Sequence, residues 1–273
     1  MEWWQAIVLG LVEGVTEFLP VSSTGHLLLT QRLLGMPTTE ASNAYAVCIQ
    51  FGAIVAVLAL YRVRIASMIR GVFGGDPAGG RLAINVLVGF VPAAVLGKLF
   101  NNPIERVLFG LWPVTVAWLV GGVAILVLAK QTAPGTKGWS LEELTPKRAA
   151  LIGLAQCAAL WPGTSRSLAT IVGALLLGME MSAAVEFSFL LGLITLSAAA
   201  AYKGLKSGAA IRAAYGPAEL AIGFAMATAS AFAAVRWMVS WLQRRGLSIF
   251  GYYRVGLAIV VGVLLAARVV RAT

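Results

Sequence analysis

Six apolar runs, near residues 44–61, 83–100, 112–129, 183–201, 217–240 and 252–270, dominate the chain. Each matches the roughly 20 residues that a helix needs to cross a bilayer core. Only 12% of the 273 residues are charged, 59% are hydrophobic and the mean hydropathy is +0.86, whereas an ordinary soluble domain carries about twice that charge. Backbone groups in lipid must be satisfied internally, and the alternating apolar and polar pattern of barrel strands is absent. The expected fold is therefore an all-α polytopic membrane protein.

The formal net charge of +10 does not point to nucleic acid, because lysine and arginine gather in short connectors such as "YRVRIASMIRG", "TPKRAA" and "QRRG". Connectors 62–82, 130–148 and 243–254, with Arg62, Arg64, Arg70, Arg148, Arg245 and Arg254 among their cations, fall on one side. The excess there is expected to be cytoplasmic, which places both termini on the other face. Cys48 and Cys157 have no CxxC spacing and read as packing residues. The N-terminal segment lacks the basic region of a cleavable signal peptide, since Glu2, Glu13 and Glu17 occupy it.

Two further segments are too polar to span. "GLVEGVTEFLPVSSTGHLLL" from Gly10 and "GLAQCAALWPGTSRSLATI" from Gly153 align with a one-residue gap that sets Pro20 over Pro162, Ser22 over Thr164 and Ser23 over Ser165. The likeness continues in "QFGAIVAVLALY" against "LLGLITLSAAAAY" and in the "GF" pairs at Gly89 and Gly223. The chain reads as one membrane domain, 1–273, made of repeat one at 1–132 and repeat two at 147–273, joined by a cytoplasmic loop at 133–146. Each repeat has a broken segment followed by three spans, and an odd number of crossings inverts the second copy. The fold expected is two inverted-topology repeats, each a re-entrant helix-loop-helix plus three transmembrane helices. Two ordinary spanning hairpins, giving ten crossings, are the alternative.

The broken segments carry the chemistry. Glu13 and Glu17 are four apart and share a helix face. The helix should stop before Pro20, "VSSTG" should make the turn with Ser22, Ser23, Thr24 and Gly25, and His26, the single histidine, follows. The second segment breaks at Pro162 and Gly163, then "TSRS" opens a helix that carries Thr170. Both returning helices aim their N-termini at the midplane, where free N–H groups and the dipole favour an anion. Arg166 adds a planar cation suited to phosphate oxygens, and Ser22, Thr24, Gly25, Gly163, Ser165, Ser167 and Thr170 are the residues expected to bind the substrate around it. Carboxylates next to such a nest make sense around a phosphate bridged to Glu13 and Glu17 by a divalent metal. Ser23 and His26 are the local candidates for nucleophile and proton carrier. Gln50, Asn85 and Glu186 interrupt apolar spans and are candidates to line the cavity, with structural hydrogen bonding the expected role of each.

"EGVTEFLPVSSTGH" and "PGTSRSLAT" resemble the two signature motifs of the bacterial undecaprenyl pyrophosphate phosphatase family, the bacitracin-resistance type of integral membrane phosphatase, and "IQFG" and "EFSFLL" extend the likeness. The resemblance implies hydrolysis of a C55 polyprenyl pyrophosphate to the monophosphate carrier of cell-wall synthesis, with Mg²⁺ or Ca²⁺, in the bacterial inner membrane with the active site facing the periplasm or cell exterior. By position it assigns the acidic motif to Glu13 and Glu17, the histidine to His26, the serine to Ser23 and the phosphate-binding arginine to Arg166, and leaves open whether Ser23 or an activated water attacks. A homodimer is compatible with it. Inverted repeats with broken helices also suit a transporter or flippase for an anionic polyprenyl lipid, which stands as the rival expectation.

Overall fold

A computed structural model describes residues 1–37, 39–128 and 137–270. The expected repeat boundary at 132 and the first part of the connector, 133–136, lie outside the described residues. The helices are α1 (Trp3–Glu17), α2 (Ser23–Leu33), α3 (Glu40–Leu60), α4 (Arg62–Val72), α5 (Pro77–Val107), α6 (Leu111–Leu128), α7 (Pro146–Gln156), α8 (Arg166–Leu176), α9 (Met181–Ala214), α10 (Pro217–Arg245) and α11 (Ser248–Ala266). Helices α5, α6, α9, α10 and α11 are long and apolar enough to cross a membrane, and α3 with α4 forms a sixth candidate bent by 83°. The chain is an all-α polytopic membrane protein.

Helix α4 occupies a stretch that reads as a connector in the sequence. None of its side chains is fully buried; Ile65 and Met68 pack partly buried against an apolar cluster that includes Leu82 and Val86 of α5, Arg64 pairs with Glu186, and the backbones of α4 and α5 also come close. A Cβ on Gly71 would sit 2.5 Å from the Asp76 carbonyl oxygen. Asp76 then starts α5: its Oδ1 accepts from the Gly79 N–H at 3.0 Å, and Pro77 takes the first helical position, where a missing N–H costs nothing.

The order of elements recurs. A helix, a break and a second helix precede the long helices in each half, as α1, α2, α3, α5, α6 and as α7, α8, α9, α10, α11. The packing is reciprocal, because α1 lies on α10 of the other half while α7 lies on α5, and α3 meets α9 as α6 meets α11. Glycines permit both crossed approaches. A Cβ on Gly10 would fall 2.5 Å from the Gly223 carbonyl oxygen, and one on Gly153 would overlap the Gly89 carbonyl. Lipid chains are as apolar as leucine, so helices in a bilayer associate through this closeness rather than through removal of surface from water.

The largest apolar cluster forms around the first break. Phe18, Leu19 and Val21 pack with Ile54 and Val57 of α3, Leu168 and Ile171 of α8, Phe189 of α9, and Val235 and Met238 of α10. Phe18 meets Phe189 edge to face with centroids 5.3 Å apart, a geometry worth about 0.5–1.5 kcal/mol beyond simple contact.

Candidate active site

Breaking a helix inside a bundle frees carbonyl groups that lipid cannot satisfy. At the first break Leu19 O accepts from Ser165 Oγ (3.3 Å) and Ser167 Oγ (3.0 Å), Pro20 O from Arg254 Nη1 (3.2 Å) and Val21 O from Trp118 Nε1 (3.0 Å). At the second, Gly163 O and Thr164 O accept from Arg254 Nη2 (3.0 Å) and Nη1 (3.1 Å). Arg254 also reaches Ala117 O and Trp118 O of α6. The two breaks are thus tied to each other by Ser165 and Ser167 and to α6 and α11 by one arginine. Gly121 leaves the space that its guanidinium fills.

Both returning helices start from a residue with positive φ. Ser22 has φ 74 and Ser165 has φ 77, a conformation that costs a non-glycine residue about 1–3 kcal/mol. The shared geometry pairs Ser22 with Ser165, one position away from the alignment that sets it over Thr164. Ser165 Oγ accepts from the Leu168 N–H at 3.3 Å and so caps α8, whereas the Ser22 side chain makes no cap bond to α2.

Three side chains expected at the site come together here. Glu17, 6% exposed, accepts from Ser23 Oγ on Oε2, from Gln50 Nε2 on the same oxygen at 3.1 Å, and from Arg166 Nη2 on Oε1 at 3.2 Å. Arg166 Nη1 donates to Ser188 O at 3.2 Å, and its guanidinium lies 5.1 Å from the Phe18 ring centroid. Gly192 has no side chain to obstruct it. Glu13, 1% exposed, lies one turn before Glu17. Glu13 Oε1 and Arg166 Nε are buried without a hydrogen-bond partner, an expensive condition for a carboxylate and a guanidinium unless a ligand completes them.

Other expected residues sit differently. Ser165, Ser167 and Thr170 were expected to face substrate oxygens, but their hydroxyls already have protein partners: Leu19 O for the two serines, and Ser188 Oγ (2.6 Å) with Arg166 O (2.9 Å) for Thr170. Gly25 faces the Trp118 ring, where a Cβ would come within 2.5 Å, and Gly163 supplies a positive φ of 99 and a carbonyl for Arg254. Thr24 is partly buried in the first turn of α2. His26 is not bonded to Glu17 or Ser23. Its Nδ1 lies 2.7 Å from Ser22 O and its Nε2 2.7 Å from the Tyr253 hydroxyl, with which it stacks.

Sequence reasoning missed Arg254, Tyr253 and Ser188. Arg254 counts as a connector cation in the charge tally, yet it is 0% exposed within α11. Its signal was its place inside an apolar run, where an arginine needs a buried partner. Gln50 is a structural donor whose acceptor is Glu17 itself. Asn85 donates to Leu144 O at 2.7 Å and Glu186 pairs with Arg64 at 2.6 Å, structural roles as expected.

The donor set bears on the expected cation. Among the described residues no group of three or more His, Cys, Asp or Glu converges, so Glu13 and Glu17 would be the protein ligands and phosphate oxygens or water the rest. The unpartnered Glu13 oxygen fits that role.

Residues 6–260 match the family model described as bacitracin resistance protein BacA. The chain belongs to this family. It is 42% identical over 264 residues to a protein of Sorangium cellulosum named undecaprenyl-diphosphatase, covering 96% of this chain and 86% of that one. A protein of Rhodospirillum rubrum named undecaprenyl-diphosphatase 2 is 41% identical, with 94% and 93% covered. A third, from Rhodopseudomonas palustris and named undecaprenyl-diphosphatase, is 43% identical with 92% of each covered.

Proposed function

We propose that this chain is an undecaprenyl-diphosphatase that removes the terminal phosphate of a polyprenyl pyrophosphate held between the two breaks. One observation carries the reading: Glu17, Ser23 and Arg166, from different halves of the chain, meet in a buried cluster beside an unpartnered Glu13 oxygen and an unpartnered Arg166 Nε. A terminal phosphate would give Arg166 Nε an acceptor, and a divalent cation would give the Glu13 oxygen a partner. The N-termini of α2 and α8 add N–H donors.

In this reading Glu17 accepts the proton of Ser23 as Ser23 Oγ attacks the terminal phosphorus. The bond to the bridging oxygen breaks, the polyprenyl monophosphate departs, and Glu17 gives up the serine proton, with His26 as the proton carrier of the site. Ionised again, Glu17 takes a proton from the water that attacks the phosphoserine and returns it to Ser23 Oγ as inorganic phosphate leaves. Arg166 stabilises charge on the transferring group. Glu13 and Glu17 would hold Mg²⁺ or Ca²⁺, which neutralises pyrophosphate charge when bound. The same reading takes the halves as inverted repeats, for which the reciprocal glycine contacts speak, in a bacterial inner membrane with the site open to the outer face. The transporter rival gains no support of its own, and the names of the relatives favour the hydrolase.

The test is phosphate release by purified protein from a long-chain polyprenyl pyrophosphate, with and without EDTA. We expect release that stops on chelation and returns with Mg²⁺ or Ca²⁺. Folded protein that releases no phosphate with any divalent cation refutes the activity, and release indifferent to chelation refutes the metal.

A further inference from the structure

We propose that Tyr253 is a positioning residue for His26 in the hydrolytic reaction, an inference that rests on the function proposed above. A backbone carbonyl only accepts, so the 2.7 Å contact of His26 Nδ1 with Ser22 O places a hydrogen on Nδ1. In the neutral ring Nε2 is then the lone-pair nitrogen, and the Tyr253 hydroxyl, 2.7 Å away, donates to it. Any proton that His26 exchanges during turnover passes at Nε2, beside that hydroxyl. The imidazole is also fixed in orientation. Tyr253 stacks on it with an interplanar angle of 8° and Trp118 meets it edge-on at 5.2 Å.

The placement of Tyr253 is itself held by the site. Its neighbour Arg254 is anchored to Pro20, Gly163 and Thr164 at the two breaks, so α11 cannot shift without moving the loops that carry Ser22 and Ser23. Tyr253 is 46% exposed, which sets its hydroxyl where His26 meets the surroundings. A tyrosine that served only as a packing ring would lose little on becoming phenylalanine. One that orients a working histidine would not.

The experiment uses the whole protein in detergent. Tyr253→Phe keeps the stack and deletes the hydroxyl. We expect kcat for phosphate release to fall on the order of tenfold, the usual cost of losing the partner that orients a functional histidine, with KM unchanged. In a His26→Ala background the same change should do nothing more, because the two residues act as a unit. A second readout needs no activity. The chain has a single histidine, so ¹⁵N-histidine labelling gives one ring to observe, and Tyr253→Phe should move its Nε2 resonance while Nδ1 stays pyrrole-like. An active parent whose Tyr253→Phe form keeps full kcat overturns the inference alone, as do effects that multiply or an Nε2 resonance that does not move. A wild-type protein without phosphatase activity removes the function and this role together.

Discussion

Ser22 and Ser165 share a strained backbone but differ in what their side chains do, and that difference can be measured. Ser165→Gly relaxes a positive φ but loses a cap and the bond to Leu19 O, so we expect thermal stability in detergent to stay level or fall. Ser22→Gly relaxes the same strain without losing a cap bond, and stability should rise by about 1 kcal/mol, at the low end of the strain such residues store. At the proposed reacting groups, Glu17→Gln should lower phosphate release by about 10²–10⁴-fold, the range for loss of a general base. Ser23→Ala should abolish it under the serine mechanism, and full activity from that variant would assign the attack to water. The motif glutamates, Ser23 and Arg166 are legible in sequence because each is an ionisable or nucleophilic group in an apolar stretch. Arg254 and Tyr253 are not, since a cation near a helix end looks like a topology signal and a tyrosine looks like an interfacial anchor. Arg254→Lys tests the difference. An ammonium cannot span carbonyls on both breaks as a planar fork does, and each carbonyl left unsatisfied costs about 1–3 kcal/mol, so this variant should unfold at markedly lower temperature.

Helix breaks are easy to read from Pro20, Pro162 and Gly163, and the six apolar runs locate the candidate spans because length and hydropathy are properties of single segments. Helix α4 escapes that reading because its apolar residues Ile65 and Met68 are only partly buried, and its close approach to α5 is backbone to backbone at Gly71, which no hydrophobic period betrays. The same kind of contact makes the α7–α5 crossing fragile. Gly153→Val would drive a branched side chain into the Gly89 backbone and should lower stability by about 1–3 kcal/mol or more, read as the melting temperature of purified protein, whereas substitution at Gly204, which has open space around it, should leave it unchanged. At the start of α5 the Gly79 N–H and the Ser67 hydroxyl hold the Asp76 carboxyl below its usual range. Its lowered folded value means that the cap is intact at neutral pH and weakens only as pH falls through that value. Amide exchange at Gly79 should therefore accelerate in acid, and Asp76→Asn should flatten that acid dependence.

Across the whole molecule the sequence suggests the duplication but not the pairing of its parts. Periodicity says that Gly10 resembles Gly153, and only the folded chain shows that each glycine is met by the opposite half, at Gly223 and at Gly89. A half made alone would lack the long helix that packs most heavily on its broken hairpin, α10 for the first and α5 for the second. Expressed separately, fragments 1–132 and 147–273 should each be degraded or aggregate, while co-expression should restore an active complex, detectable as co-purification of an untagged half with a tagged one. Because each half lays a long helix on the broken segment of the other, the chain behaves as a two-piece clasp in which neither half is complete without its counterpart.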